Sequence, residues 1–192
     1  VVRSVSDRGV STDDGEVRAP AVVVATDPAT AASLVPGLTA PAMHSVTTWY
    51  HSTEGSTLAG GHPVLVVDGQ RRGPVVNTVV MSHASPSYAP AGHALVATSV
   101  LGTDTGEGMA RDVRRHLAVL YGCDATAWEE VAVYPIAEAL PVMTVPHDFT
   151  RPVRRGDRLF VAGDHLDSSS IQGAMVSGRR AAQAILRERG AR

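Results

Sequence analysis

The sequence predicts an α/β fold divided by an α+β insert. Three observations carry that expectation. Residues 21–25 (Ala-Val-Val-Val-Ala) are a continuous apolar run followed at once by a helix-start signal. Residues 158–190 repeat the order: a short apolar strand, a Gly-Asp turn, a serine-rich loop and a long amphipathic stretch. Between them lie four or five Val/Thr-rich strand segments and one long helix, the pattern of an α+β layer.

Each element has a local reason. Residues 1–25 read as small strands joined by turns, with signals at Asp7-Arg8-Gly9 and Asp13-Asp14-Gly15. Residues 10–12 and 16–18 flank the second turn as a hairpin, and residues 21–25 read as a strand buried on both faces. Thr26 or Asp27 caps a short helix with Pro28 in its first turn, and Pro36-Gly37 stops it. Residues 43–52, 64–67, 75–82 and 94–101 read as strands separated by Gly, Pro and Ser turns. A helix is predicted over 105–121, with Met109, Val113, Leu117 and Leu120 as its buried stripe and Gly122 at its stop. Residues 128–136 form a further strand. A connection over 137–156, punctuated by Pro141, Pro146 and Pro152, leads to the closing strand and a helix opening near Ser170. On that helix Ile171, Ala174, Met175, Gly178, Ala181, Ala182, Ile185 and Leu186 recur at three- and four-residue spacing, so they are predicted to share its packed face. The expected division is residues 1–40, an insert over 41–150, and residues 151–192.

Bulk properties exclude several classes. A formal net charge of −2 gives no electrostatic case for nucleic acid or acidic membranes. The pairs Arg71-Arg72, Arg154-Arg155 and Arg179-Arg180 read as solvated surface. A single cysteine, Cys123, rules out an internal disulfide or a cysteine metal cluster and reads as a structural thiol. No stretch approaches the ~20 apolar residues of a membrane-spanning helix. No signal peptide precedes Val1, and a cytoplasmic location is expected. The chain opens without Met inside a strand-like run, which predicts a piece of a longer protein.

The richest chemistry lies near the C-terminus. A strand feeding a helix through a glycine turn aims free backbone N–H groups and a positive dipole end at one place, which suits an anionic or electron-accepting ligand. Gly163 permits close approach, and Asp164 offers an acceptor-only carboxylate suited to a sugar-like hydroxyl. Ser168, Ser169 and Ser170 are all competent N-caps. With Gly173 following, the amides of Ile171 and Gln172 are left approachable.

This segment resembles the C-terminal signature of the flavin-containing amine oxidase and phytoene desaturase superfamily. There an A-G-D or A-G-E turn and a following S-I-x-G-A…S-G…A-A helix hold FAD. Residues 16–28 (Glu-Val-Arg-Ala-Pro-Ala-Val-Val-Val-Ala-Thr-Asp-Pro) look like the family's A-D-x-V-V-x-A-x-P strand, which exits beside the cofactor, here at Ala25 and Thr26. Residues 134–141 (Tyr-Pro-Ile-Ala-Glu-Ala-Leu-Pro) are similar to the strand and proline turn that return from the substrate domain. The resemblance implies the C-terminal part of a two-domain, Rossmann-like FAD-binding oxidoreductase, with a mixed or antiparallel-sheet substrate domain inserted between pieces of the FAD domain. It implies Asp164 on the ribityl chain, the amides beside it on the pyrophosphate, and the amides of Ile171 and Gln172 at the flavin N1–O2 edge. Reduced flavin gains negative charge on that edge, and a helix N-terminus stabilises it. Gly173 and Ala174 would supply closeness. The candidate cofactor-binding set is thus Ala25, Thr26, Gly163, Asp164, Ser170, Ile171, Gln172, Gly173 and Ala174. No side chain is required as acid or base, so no catalytic residue is assigned.

The family's G-x-G-x-x-G fingerprint is absent from these 192 residues. The chain is therefore expected to complete an FAD site rather than form one. A missing N-terminal FAD-binding segment would be its partner, and the fragment alone is expected to be inactive. The implied reaction is hydride transfer to flavin from an amine or an apolar C–H substrate. An aromatic content of 4% favours a bulky apolar small molecule over an amine held in an aromatic cage. Two alternatives stay open: a redox-neutral flavoprotein isomerase, and a non-catalytic truncated fragment or binding module. No metal is expected, because His147-Asp148 and His165-x-Asp167 lack helical ligand spacing. The three serines 168–170 beside His165 and Asp167 carry the letters of a hydrolase triad without a G-x-S-x-G elbow. Trp49, Tyr50 and His51 alternate across a strand, so one face serves the core or lines a substrate cavity.

Overall fold

A computed structural model describes residues 1–55, 58 and 61–190. They form two compact units, Val1–Met43 with Leu140–Arg192, and His44–Ala139.

The first unit opens with an antiparallel meander of β1 (Val2–Ser6), β2 (Gly9–Thr12) and β3 (Gly15–Arg18), turning at the two Asp/Gly signals. β4 (Val22–Val24) follows, then α1 (Pro28–Leu34). Asp27 is the residue that caps α1, its carboxylate accepting the Thr30 N–H at 2.9 Å.

The second unit is built on a five-stranded sheet. Its strands are β5 (Met43–Glu54), β6 (Leu65–Val67), β7 (Val75–Val80), β8 (His93–Leu101) and β9 (Glu129–Pro141), in the order β6-β7-β8-β5-β9. The pairs β6–β7, β7–β8 and β5–β8 are antiparallel. The short helix α2 (Met81–Ala84) follows β7, so the strand stops at Val80 and does not reach residue 82 as predicted. The helix α3 (Glu107–Tyr121) ends at Gly122, which takes the left-handed conformation (φ 65°) and donates its N–H to the Ala118 carbonyl. Period-two alternation puts Trp49, Val80, Val96 and Val100 into one core with Val113, Leu117 and Trp128, and a register irregularity between Val75 and Asn77 lets Val75 join them. β9 runs on through residues 137–141, which the sequence suggested as a connection. It is an edge strand, where Pro135 and its missing N–H are tolerated.

The chain then returns to the first unit as β10 (Leu159–Val161), parallel to β4 in the register Leu159↔Val22 to Val161↔Val24. Its core holds Val22, Val24, Ala31, Val35, Leu159, Val161 and Leu166. Val23 was expected inside but is 43% exposed, because only one face of β4 lies on that core. α4 (Ile171–Gly190) closes the chain. Its packed face also differs from the predicted one. Gly173, Ser177 and Ala181 are buried, whereas Ile171, Met175 and Leu186 are 77%, 70% and 64% exposed. The helix lies close along its smallest residues, and size outweighs hydrophobicity in choosing the face. Among the described residues no helix is long and apolar enough to cross a membrane.

Candidate functional site

β4 and β10 end side by side, with the Ala162 N–H donating to the Val24 carbonyl at 2.9 Å. Ala25 and Thr26 leave one strand while Gly163 and Asp164 leave the other. That is the carboxyl edge of a parallel pair, where open α/β sheets place their ligands. Ala25 and Thr26 are exposed, and the Thr26 hydroxyl donates to the Asp27 carbonyl at 3.2 Å.

Gly163 has a structural duty of its own. Its N–H donates to Ser177 Oγ at 2.9 Å, and that hydroxyl donates to the Ala174 carbonyl at 2.8 Å. A Cβ on Gly163 would enter the imidazole of His165. The single turn Asp164–Leu166 comes next and packs against α4. Asp164 is half-buried, and among the described residues its carboxylate makes no hydrogen bond or ion pair and its N–H finds no acceptor. His165 is buried, and neither ring nitrogen has a partner. Burial lowers its pKa against the opposing pull of Asp164, with Arg155 and Arg151 adding to the lowering.

At the start of α4, Ser170 is the N-cap. Its Oγ accepts the Gly173 N–H at 3.1 Å and its carbonyl accepts the Ala174 N–H at 3.0 Å. Gly173 is buried, and a Cβ there would run into the Ser168 carbonyl, so its closeness serves the helix's own loop. Ala174 is half-buried beneath its bond to Ser177. The N–H groups of Ile171 and Gln172 have no acceptor among the described residues, and both residues are exposed.

Four residues fasten this loop in a role the sequence did not assign to them. Arg180 donates to the Leu166 carbonyl at 2.7 Å, to Asp167 Oδ2 at 3.2 Å and to the Arg151 carbonyl at 3.1 Å. Arg151 donates to the His165 carbonyl at 3.1 Å, and His147 Nε2 donates to the Asp167 carbonyl at 2.8 Å. Ser177 is the fourth. The sequence placed Arg179-Arg180 on a solvated surface, yet only Arg179 is exposed. The available signal was position: Arg180 lies three residues after Ser177 and one before Ala181, at the border of the buried face.

Trp49 and His51 face the core, with ring centroids 6.5 Å apart, and His51 lies 6.4 Å from Trp128. Burial, with Arg114 second, pushes the His51 pKa down to about 4. Tyr50 projects from the opposite face and meets the exposed Tyr134 edge-to-face at 6.0 Å. Among the described residues, no group of three or more His, Cys, Asp or Glu could hold a metal ion.

An unpaired carboxylate, the amide beside it and two open helix-start amides fit a cofactor that offers hydroxyl groups and an electron-rich edge. The parallel strand pair and the unit built on an antiparallel sheet make a mixed α/β architecture. An oxidoreductase of known structure from Methanosarcina mazei is similar with a TM-score of 0.63 at 12% identity, over 95% of this chain and 47% of that one. A Pyrococcus furiosus protein is similar with a TM-score of 0.65 at 11% identity, over 95% and 45%. The reduced UDP-galactopyranose mutase gives 0.52 at 12%, over 71% and 33%. The chain spans about half the length of the first two. No protein of curated function matches it. Residues 1–186 match the flavin containing amine oxidoreductase family, and the chain belongs to that family.

Proposed function

We propose that this chain supplies the C-terminal flavin-holding turn and the substrate-facing sheet of an FAD-dependent oxidoreductase. Residues 1–40 and 151–192 act on the FAD side and residues 41–150 on the substrate side. The observation that carries the reading is the set of polar groups left unpaired on one strand–turn–helix: the Asp164 carboxylate and the N–H groups of Asp164, Ile171 and Gln172. Asp164 accepts from the ribityl hydroxyls. The Ile171 and Gln172 amides hold the flavin N1–O2 edge, where the helix dipole favours negative charge. Ala25, Thr26, Gly163, Ser170, Gly173 and Ala174 shape the approach. FAD, when bound, accepts a hydride from the substrate. The protein's part is to orient a bulky apolar substrate or an amine and exclude water, with Tyr50 and Tyr134 on the open sheet face as contact surface. No side chain of this chain is assigned as acid or base, because hydride transfer to flavin does not require one. An N-terminal G-x-G-x-x-G segment supplies the remaining cofactor contacts.

The test is FAD titration of the native chain followed by flavin fluorescence, alongside Asp164→Asn and Gln172→Pro. Proline is tolerated in the first helical turn and deletes one donor. Saturable but weak binding is expected, with Kd above about 1 μM because the pyrophosphate fingerprint is missing. Each variant should weaken it about threefold to tenfold. Identical curves for all three proteins, or no binding at any concentration, would overturn the assignment. Submicromolar binding would overturn the view that the site is only completed here.

A further inference from the structure

We propose that the β1–β3 meander carries a second ligand site, for a small polyphosphate-type anion, independent of the flavin turn. A cavity of about 490 Å³ lies against the meander, and its wall includes Arg8, Arg18 and Arg158. Among the described residues none of the three guanidinium groups makes an ion pair or hydrogen bond. Other arginines of the same unit are engaged: Arg3 with Asp13, Arg154 with Glu188 and Arg180 with Asp167. Glu16 is the one carboxylate-bearing residue on the wall, so the lining carries three positive charges and one negative.

The wall is assembled from distant parts of the chain by fixed contacts. Asp7 Oδ1 accepts the Arg158 N–H at 2.9 Å, which ties residue 158 to the first turn of the meander. The Ala19 N–H donates to the Arg8 carbonyl at 3.1 Å, which holds the end of β3 beside the same turn. Ser4 and Ser11 stand opposite each other in the β1–β2 register and add hydroxyl donors to the wall. Unneutralised guanidinium groups around one concavity repel each other. A ligand with several anionic oxygens removes that repulsion and takes forked N–H donors, whereas a neutral ligand does neither. None of the candidate flavin residues lines this cavity.

Pyrophosphate titrated calorimetrically into the native chain at low ionic strength tests the site. One saturable site is expected, weakening as salt rises. Arg8→Gln, Arg18→Gln and Arg158→Gln should each weaken binding about fivefold to tenfold. Arg187→Gln, an equal charge change at an exposed position of α4, and Gln172→Pro should leave it unchanged. ADP and adenosine separate the sources. ADP binding with the same arginine dependence, adenosine being silent, identifies a nucleotide; pyrophosphate alone identifies free phosphate compounds. Absence of saturable heat with both pyrophosphate and ADP overturns the proposal, and so does equal weakening by Arg187→Gln. Arg8 lies in an exposed turn, so Arg8→Gln keeps the test decisive if Arg158→Gln fails to fold.

Discussion

His116 in the second unit and His165 in the first are both buried beside a glycine, and they have opposite fates. On α3, His116 Nδ1 accepts the Val75 N–H at 3.1 Å and Nε2 donates to Asp68 at 2.9 Å. A Cβ on Gly73 would strike its ring. Asp68 in turn accepts from the backbone of Arg72 and Gln70, and these bonds, the one from Arg72 first, hold its carboxyl far below the usual carboxylate range against the effect of burial. His165 also crowds a glycine but bonds to nothing through its ring, and Asp164 beside it is equally unpaired. The first arrangement is complete within the protein. The second leaves polar groups unanswered at the carboxyl edge of two parallel strands. The two histidines differ in polar satisfaction, and the proposed cofactor role of the strand–turn–helix rests on the second arrangement.

The contrast can be broken by substitution. His116→Ala leaves the buried Val75 N–H without its acceptor and takes one of several partners from Asp68, and should cost about 1–3 kcal/mol in denaturant unfolding. A cost under about 1 kcal/mol would put the pair on the surface in energetic effect.

Acid should separate two groups of the second unit. His51 titrates at about 4 when folded against 6.5 when unfolded. The unfolded chain therefore takes up its proton first as pH falls. The stability contributed by His51 is complete above pH 6.5 and declines toward pH 4, a loss of about 3 kcal/mol. Asp68 has the opposite sign of charge and a lowered pKa, so its contribution holds above its ordinary value of 3.8 and fades below it. Stability of His51→Leu followed against pH should lack the first decline and keep the second.

Smaller effects sharpen the picture of α4. Ser177→Ala deprives the Gly163 N–H of its acceptor and should cost about 1–2 kcal/mol in thermal unfolding. Ile171→Gln should change stability by less than about 0.5 kcal/mol, because Ile171 is 77% exposed. Had the predicted apolar face been the packed one, the same change would cost about 2 kcal/mol.

That last pair shows where sequence reading ends. Strand positions were legible because Val-rich runs and Asp/Gly turns are local signals, and β2, β3 and β8 fall within a residue or two of their predicted bounds. The strand–turn–helix was legible from a glycine, an acid and a serine cap in order. The face of α4 was not, because three- and four-residue spacing fits two overlapping stripes. The choice fell to Gly173 and Ser177, whose partners Ser168 and Gly163 come from the loop and turn ahead of the helix. His116 escaped for the same reason: Asp68 lies 48 residues away in the chain, and no local pattern pairs them. Ring nitrogens without partners, as at His165, have no signature in a sequence at all.

β5 and β9 are neighbours in the sheet, and just beyond them the Val142 N–H donates to the Ala42 carbonyl at 2.8 Å. The intervening stretch thus begins and finishes at a single seam. A donor module from a relative could be spliced there by matching two adjoining strand ends, leaving the glycine bend and its serine-capped neighbour untouched. On the proposed assignment of the two parts, selectivity and cofactor handling would be separately exchangeable, which is how one scaffold can come to serve many chemistries.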